Sequence, residues 1–160
     1  MSSEVRILVD ADACPVKEEV YRVAFRHEAP VTIVSNSYLR IPDHPLVSRM
    51  AVSDAFDAAD DLIATAAGPT TVVVTGDILL ADRCLKLGAR VLSPSGKVFT
   101  TSSIGAAVAM RAVMADLRAG GDIVGGPPAF SKADRSRFLS QLDEILVSLG
   151  REPAHAKASR

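Results

Sequence analysis

Val5-Arg6-Ile7-Leu8-Val9-Asp10-Ala11-Asp12-Ala13-Cys14-Pro15 decides how this chain folds, because it reads as a strand that stops at an acidic residue and hands over to a helix. The apolar run is interrupted only by Arg6, which suits a buried strand ending at Asp10. Pro15 fits the first helical turn, where an N–H would have found no carbonyl in any case. Val16, Val20, Val23, Ala24 and Phe25 then give that helix an apolar face as far as about His27.

The same alternation continues outward. Pro30 marks a boundary, and Val31 to Val34 reads as a second strand. The following S-N-S-Y-L-R-I-P-D-H-P, with two prolines, reads as a loop over the top of the sheet. Phe56 to Ala67 is expected to be a helix closed by Gly68-Pro69. Thr71 to Thr75 is the most strand-like segment of the chain, and the helix after Gly76-Asp77 is expected to run to a capping glycine at Gly88. Arg90 to Leu92 makes a further short strand. Strands alternating with helices imply the α/β class: a three-layer α/β/α fold with a mostly parallel central sheet, which collects ligands at its carboxyl edge.

C-terminal helices extend this frame. One is expected from about Ser103 to Arg118, after the turn S-P-S-G-K, and the glycine- and proline-rich stretch 120–128 then acts as a hinge. Ser131 with Asp134 resembles a capping box for a last helix, in which Phe138, Leu142, Ile145 and Leu149 recur at helical spacing. That stripe has to bury, either on its own domain or through self-association with another subunit. Residues 1–150 are read as one domain and 151–160 as a disordered tail.

At 160 residues and 48% hydrophobic, the chain is long enough for a sizeable core without staples. It has no Trp and few other aromatics, so bases would find few stacking platforms, and a net charge of −1 gives no general pull toward polyanions. Any such contact must come from local Lys and Arg. Cys14 and Cys84 cannot build a disulfide framework, and His27, His44 and His155 do not pair with them at zinc-ligand spacing. With no secretory pattern at the start and no apolar stretch of membrane-spanning length, a reduced cytoplasmic protein with no membrane partner is expected.

Three groups of aspartates fall along this frame: Asp10 and Asp12, then Asp57, Asp60 and Asp61, then Asp77 and Asp82. Two of the groups lie at or just beyond the carboxyl ends of predicted strands. Carboxylates gathered together repel one another and resist desolvation, and a hard divalent cation is the simplest reason to gather them. Each group alone has a plainer reading. Asp57 would be stabilised by a few tenths to ~1 kcal/mol merely by starting a helix, while Asp12 and Asp77 could serve as helix caps. Asp60 differs, since it lies a helical step from Phe56 and Ile63, where an unpaired charge is expensive.

The strings V-D-A-D-A-C-P (9–15), F-D-A-A-D-D (56–61), T-G-D-I-L-L-A-D (75–82), S-P-S-G-K-V-F-T (93–100), M-R-x-x-M-x-x-L-R (110–118) and G-G-P-P-A-F-S-K-A-D-R-S-R-F (125–138) together resemble the YaiI/YqxD family of bacterial proteins. The resemblance runs from Val5 to about Leu149. It implies a PIN-like nuclease fold, in which acidic residues around magnesium or manganese cut RNA or DNA, although the family's own activity is essentially unassigned. Carried across by position, Asp10 would be the first strand-end acid with Asp12 beside it. Asp57 or Asp60 would be the helix acid, with Asp61 near, and Asp77 the acid after the later strand. Asp82, on the second turn of its helix, would be a secondary ligand.

The expected function is therefore a metal-dependent nuclease in which Asp10, Asp60 and Asp77 do the catalytic work around Mg2+ or Mn2+. Arg40, Arg49, Lys132 and Arg135 would contact the backbone of RNA or single-stranded DNA, and Ser35 and Asn36 would hydrogen-bond a phosphate or a metal-bound water. A haloacid-dehalogenase-like phosphatase is the first rival, with Asp10 as nucleophile and Asp12 as general acid. It needs a stabilising Lys before the last acidic motif, and none occurs between Lys17 and Lys86. A non-catalytic metal- or RNA-binding module is the second rival.

Overall fold

A computed structural model describes residues 5–12, 14–53, 58–121 and 130–158. Six strands form one sheet in the order β3-β2-β1-β4-β5-β6. They are β1 (Arg6–Asp10), β2 (Val31–Ser35), β3 (Val47–Ala51), β4 (Thr71–Val74), β5 (Arg90–Leu92) and β6 (Val98–Phe99). Five helices accompany them: α1 (Lys17–His27), α2 (Ala58–Ala66), α3 (Ile78–Lys86), α4 (Ile104–Ala119) and α5 (Lys132–Ala158). All pairings are parallel except that of β5 with β6.

Side-chain alternation along the strands explains the layers. Ile7 and Val9, Val31 and Ile33, and Val72 and Val74 share one core with α1 and α5, while Leu8, Val34 and Val73 share the other with α2, α3 and α4. Strands buried on both faces read as continuous apolar runs, which is why β1, β2 and β4 are visible in the sequence. The predicted α5 stripe lies in the first core, with Phe138 and Leu142 fully buried. Its start is the expected capping box: Ser131 N–H donates to Asp134 Oδ2 (2.9 Å), and Asp134 N–H to Ser131 Oγ (3.1 Å). At the far end of α1, Arg26 Nη1 and His27 Nε2 lie 3.1 and 2.7 Å from Asp143 Oδ1, tying α1 to α5.

Two strands go beyond the sequence reading. β3 follows the two-proline loop directly and joins β2 in parallel without a helical crossover, residues 36–46 supplying the return. Only Val47 of its five residues is buried, so it carries little hydrophobic pattern. β6 is two residues long and antiparallel, reached through the tight turn 93–97. Gly88 ends α3 as expected, with φ of +88°, and Ala89 N–H donates to Cys84 O at 3.1 Å.

Candidate active site at the carboxyl edge

The register Val9↔Val74 makes Asp10 and Thr75 the next residues on two adjacent parallel strands. Both follow residues, Leu8 and Val73, that face the α2/α3 core, and alternation returns them to that side. There the fully buried Thr75 donates from Oγ1 to Asp10 Oδ2 at 2.8 Å and accepts from Asp77 N–H at 3.0 Å. One hydroxyl thus joins the ends of β1 and β4. Burial raises the Asp10 pKa above the ordinary carboxylate range, the Thr75 bond partly opposes this, and the charges of Asp77 and Asp12 raise it further.

Asp77 is also the N-cap of α3: its Oδ1 accepts from Leu79 N–H (2.9 Å) and Leu80 N–H (3.3 Å). Capping and gathering are therefore both true of this residue. Asp12 lies past the strand in a turn, not in extended chain. Its Oδ2 accepts from Asn36 N–H at 2.9 Å and its Oδ1 from Ser37 Oγ at 3.3 Å, so it fastens the β1 end to the loop after β2. Ser35, fully buried, donates instead to Ser37 O at 2.6 Å, and the Asn36 amide donates to Ser53 O at 3.1 Å.

The remaining acids separate. Asp57 lies outside the described residues. Asp60 is half-buried on α2, and its charge, like that of Asp10, bears on the buried Cys84 thiol, whose pKa burial pushes up to about 11. Asp61 is turned to α3, with Oδ1 3.0 Å from Arg83 Nη1, and Asp82 pairs with Lys86 at 3.1 Å along the same helix. Asp10, Asp12 and Asp77 are thus the acids brought together, with Asp60 toward the α2 side. Among the described residues no three His, Cys, Asp or Glu side chains form a ready-made ligand set.

The cations singled out by sequence are scattered. Arg40 lines a separate cavity of about 360 Å³ with Lys17 and Tyr21. Arg49 stacks on the exposed Tyr38 ring at 4.3 Å. Arg135 donates to Pro15 O at 2.8 Å, and Lys132 sits exposed at the start of α5. Two other cations line cavities against the Gly76–Ile78 segment. Arg111 of α4 lines a cavity of about 500 Å³ with Gly76, Asp77 and Ile78. Lys97 lines a groove of about 580 Å³ that also includes Gly76 and Ile78. Both occur in strings that carry the family resemblance, M-R-x-x-M and S-P-S-G-K; nothing in those strings says that Arg111 shares a cavity with Asp77 or that Lys97 lines the groove beside it.

Residues 8–148 match the family model described as "Uncharacterized BCR, YaiI/YqxD family". A protein of Sphingopyxis alaskensis named "UPF0178 protein" is 68% identical over 152 residues, covering 94% of this chain and 98% of that one. A namesake from Jannaschia sp. is 58% identical over 155 residues, covering 93% and 99%. One from Nitrobacter winogradskyi is 54% identical over 147 residues, covering 92% and 94%. No solved structure matches the chain. Among the described residues no helix is long and apolar enough to cross a membrane.

Proposed function

Because the chain belongs to the YaiI/YqxD family, whose description names no reaction, the chemistry has to come from the site, and we propose a metal-dependent phosphodiester hydrolase acting on RNA or single-stranded DNA. The observation that carries this reading is that one buried hydroxyl, Thr75, binds the Asp10 carboxylate and the Asp77 backbone N–H at the ends of adjacent parallel strands, with the charges of Asp77 and Asp12 both bearing on Asp10. A buried carboxylate flanked by two others is held at a loss unless a cation joins it.

Asp10 and Asp77 suit magnesium or manganese by donor type. Such ions are commonly held by one or two carboxylates, with water and substrate phosphate supplying the rest, so a three-ligand cage is not required. When bound, the ion would activate water and offset charge on the phosphate. Thr75 keeps the Asp10 carboxylate aimed and fixes the backbone at Asp77. Arg111, across the cavity from Asp77, supplies positive charge for a phosphate oxygen. Asp12 orders the β2 loop as a hydrogen-bond acceptor on both oxygens. That role disfavours the phosphatase rival, in which Asp12 must carry a proton as general acid.

The test is cleavage of end-labelled single-stranded RNA and DNA with manganese, beside hydrolysis of a phosphomonoester. Asp10→Asn is expected to slow strand cleavage by about 100-fold or more, with no phosphorylated enzyme. Trapping a phosphorylated Asp10, or Asp10-dependent turnover of phosphomonoesters with intact strands, would overturn the reading.

A further inference from the structure

We propose that the groove between the Ser93–Lys97 turn and the start of α5 is a nucleotide-binding subsite, seating a base and phosphate next to Asp77. The proposal rests on the hydrolase reading for its position beside the site; the chemistry of the groove is its own. At about 580 Å³ the cavity falls within the range of ligand pockets, and Gly76 and Ile78 line both it and the Asp77–Arg111 cavity. The groove and the Asp77 cavity are therefore neighbours along the Gly76–Ile78 segment.

Its lining is divided in the way a nucleotide is divided. Lys97 offers charge and the Ser93–Ser95 hydroxyl pair, 3.0 Å apart, offers hydrogen bonds, whereas the half-buried Phe130 offers aromatic surface and Phe99, only 4% exposed, forms the floor. An aromatic at this rim is notable in a chain whose seven aromatics are five Phe and two Tyr, and the Arg135 guanidinium lies over the Phe130 ring at 4.9 Å. The Lys97 ammonium lies 5.6 Å from the Phe99 ring centroid and has no carboxylate partner among the described residues. Asp134 also lines the groove, but its carboxylate takes Ser131 N–H and Arg137 Nη1, the latter at 3.0 Å, so its charge is already answered.

The turn is also built to keep its shape. Ser93 N–H donates to Lys97 O (2.8 Å), Lys97 N–H to Ser93 Oγ (3.0 Å), and Arg137 Nη1 to Ser95 O (3.1 Å). Gly96, with φ of +90°, lies so close to α5 that a Cβ would stand 2.7 Å from Phe138 N. Such pre-organisation of the turn backbone lowers the entropic cost of binding.

The experiment is fluorescence anisotropy of labelled oligouridine and oligodeoxythymidine on the full chain at low salt, with chelator present so that nothing is cut. It is repeated on Asp10→Asn, where repulsion from the acids is smaller. Lys97→Gln is expected to weaken binding about tenfold and to lower the salt dependence by about one counterion. Phe130→Ala is expected to weaken it by about tenfold as well, through lost stacking. Lys86→Gln, which removes the partner of Asp82 on α3, should leave binding unchanged. The two sugars separate an RNA from a DNA site. Absence of binding in both backgrounds, wild-type binding by Lys97→Gln and Phe130→Ala together, or competition by inorganic phosphate as strong as that by uridine monophosphate, would overturn the proposal. Groove-dependent binding with no strand cleavage would sink the hydrolase reading alone, and Asp10-dependent cleavage with no groove dependence would sink the groove alone.

Discussion

Asp10 and Asp77 show how one residue type serves two ends. The folded pKa of Asp10 is raised above the ordinary value of an aspartate, chiefly by burial. Ionised Asp10 therefore destabilises the metal-free native state at neutral pH, and stability rises as pH falls through the raised folded pKa toward the unfolded value. Melting temperature in chelator is expected to climb over that acidic interval for the wild type, and Asp10→Asn should remove the climb while melting higher at pH 7. A wild-type curve that runs parallel to that of Asp10→Asn would contradict the burial of this charge. Asp143 works in the opposite sense. His27 and Arg26 hold its carboxyl below the usual range, so its contribution is present above the unfolded pKa and lost as pH falls through the lowered folded one. Asp77 needs a different pair of variants, since Asn can still accept the Leu79 and Leu80 N–H bonds. Asp77→Asn should leave metal-free stability unchanged or slightly higher, whereas Asp77→Ala should lose about 1 kcal/mol in urea titration through the missing cap. Equal losses for both would mean that the charge itself holds the helix.

At the scale of elements, legibility followed hydrophobic pattern. β1, β2 and β4 are buried on both faces and declare themselves, and α1 and α5 carry apolar stripes at helical spacing. β3 is an edge strand with one buried residue, so its pairing with β2 is decided by backbone hydrogen bonds that composition does not encode. The acids could be read because strand-end Asp is a local signal, and Asp10 and Asp77 did meet. Asp82, set apart as secondary by its place on the second helical turn, pairs with Lys86 of its own helix, whereas Asp61 could not be sorted from the others because its partner, Arg83, depends on where the next helix lies. Lys97 and Arg111 were hidden for the same reason. The turn that bears Lys97 supplies a test of element docking. Gly96→Ala combines an unfavourable φ with a Cβ 2.6 Å from Arg137 Cγ and 2.7 and 2.8 Å from α5 backbone, so a loss of about 2 kcal/mol is expected. Gly105→Ala, in α4 with open space around it, should instead be neutral or stabilising by up to about 1 kcal/mol. Denaturant titration of the two variants checks both, and a harmless Gly96→Ala would mean that the turn does not rest on α5.

For the whole molecule, the carboxyl edge is where the layers meet. Asp10 and Thr75 turn toward the α2/α3 core, and Ala11 belongs to the core of α1 and α5. Arg135 binds Pro15 O and so fastens the start of α5 beside the start of α1. An ion held at Asp10 and Asp77 would therefore be linked to unfolding of the domain, not to fraying of one loop. Millimolar magnesium or manganese is expected to raise the melting temperature. At ~100 times its dissociation constant an ion adds about 2.7 kcal/mol, which for a chain of this size is a shift of roughly 5–10 °C. Asp10→Asn should melt higher than wild type without metal and gain little when metal is added, so the two curves should converge as the ion concentration rises. That convergence separates a cation site from general ionic screening, which would move both proteins alike and would be matched by sodium chloride at equal ionic strength. If neither ion shifts the wild type beyond that salt control, the gathered carboxylates do not bind a cation in the free protein. The hydrolase reading would then survive only if strand cleavage still required the ion, with substrate phosphate completing its site.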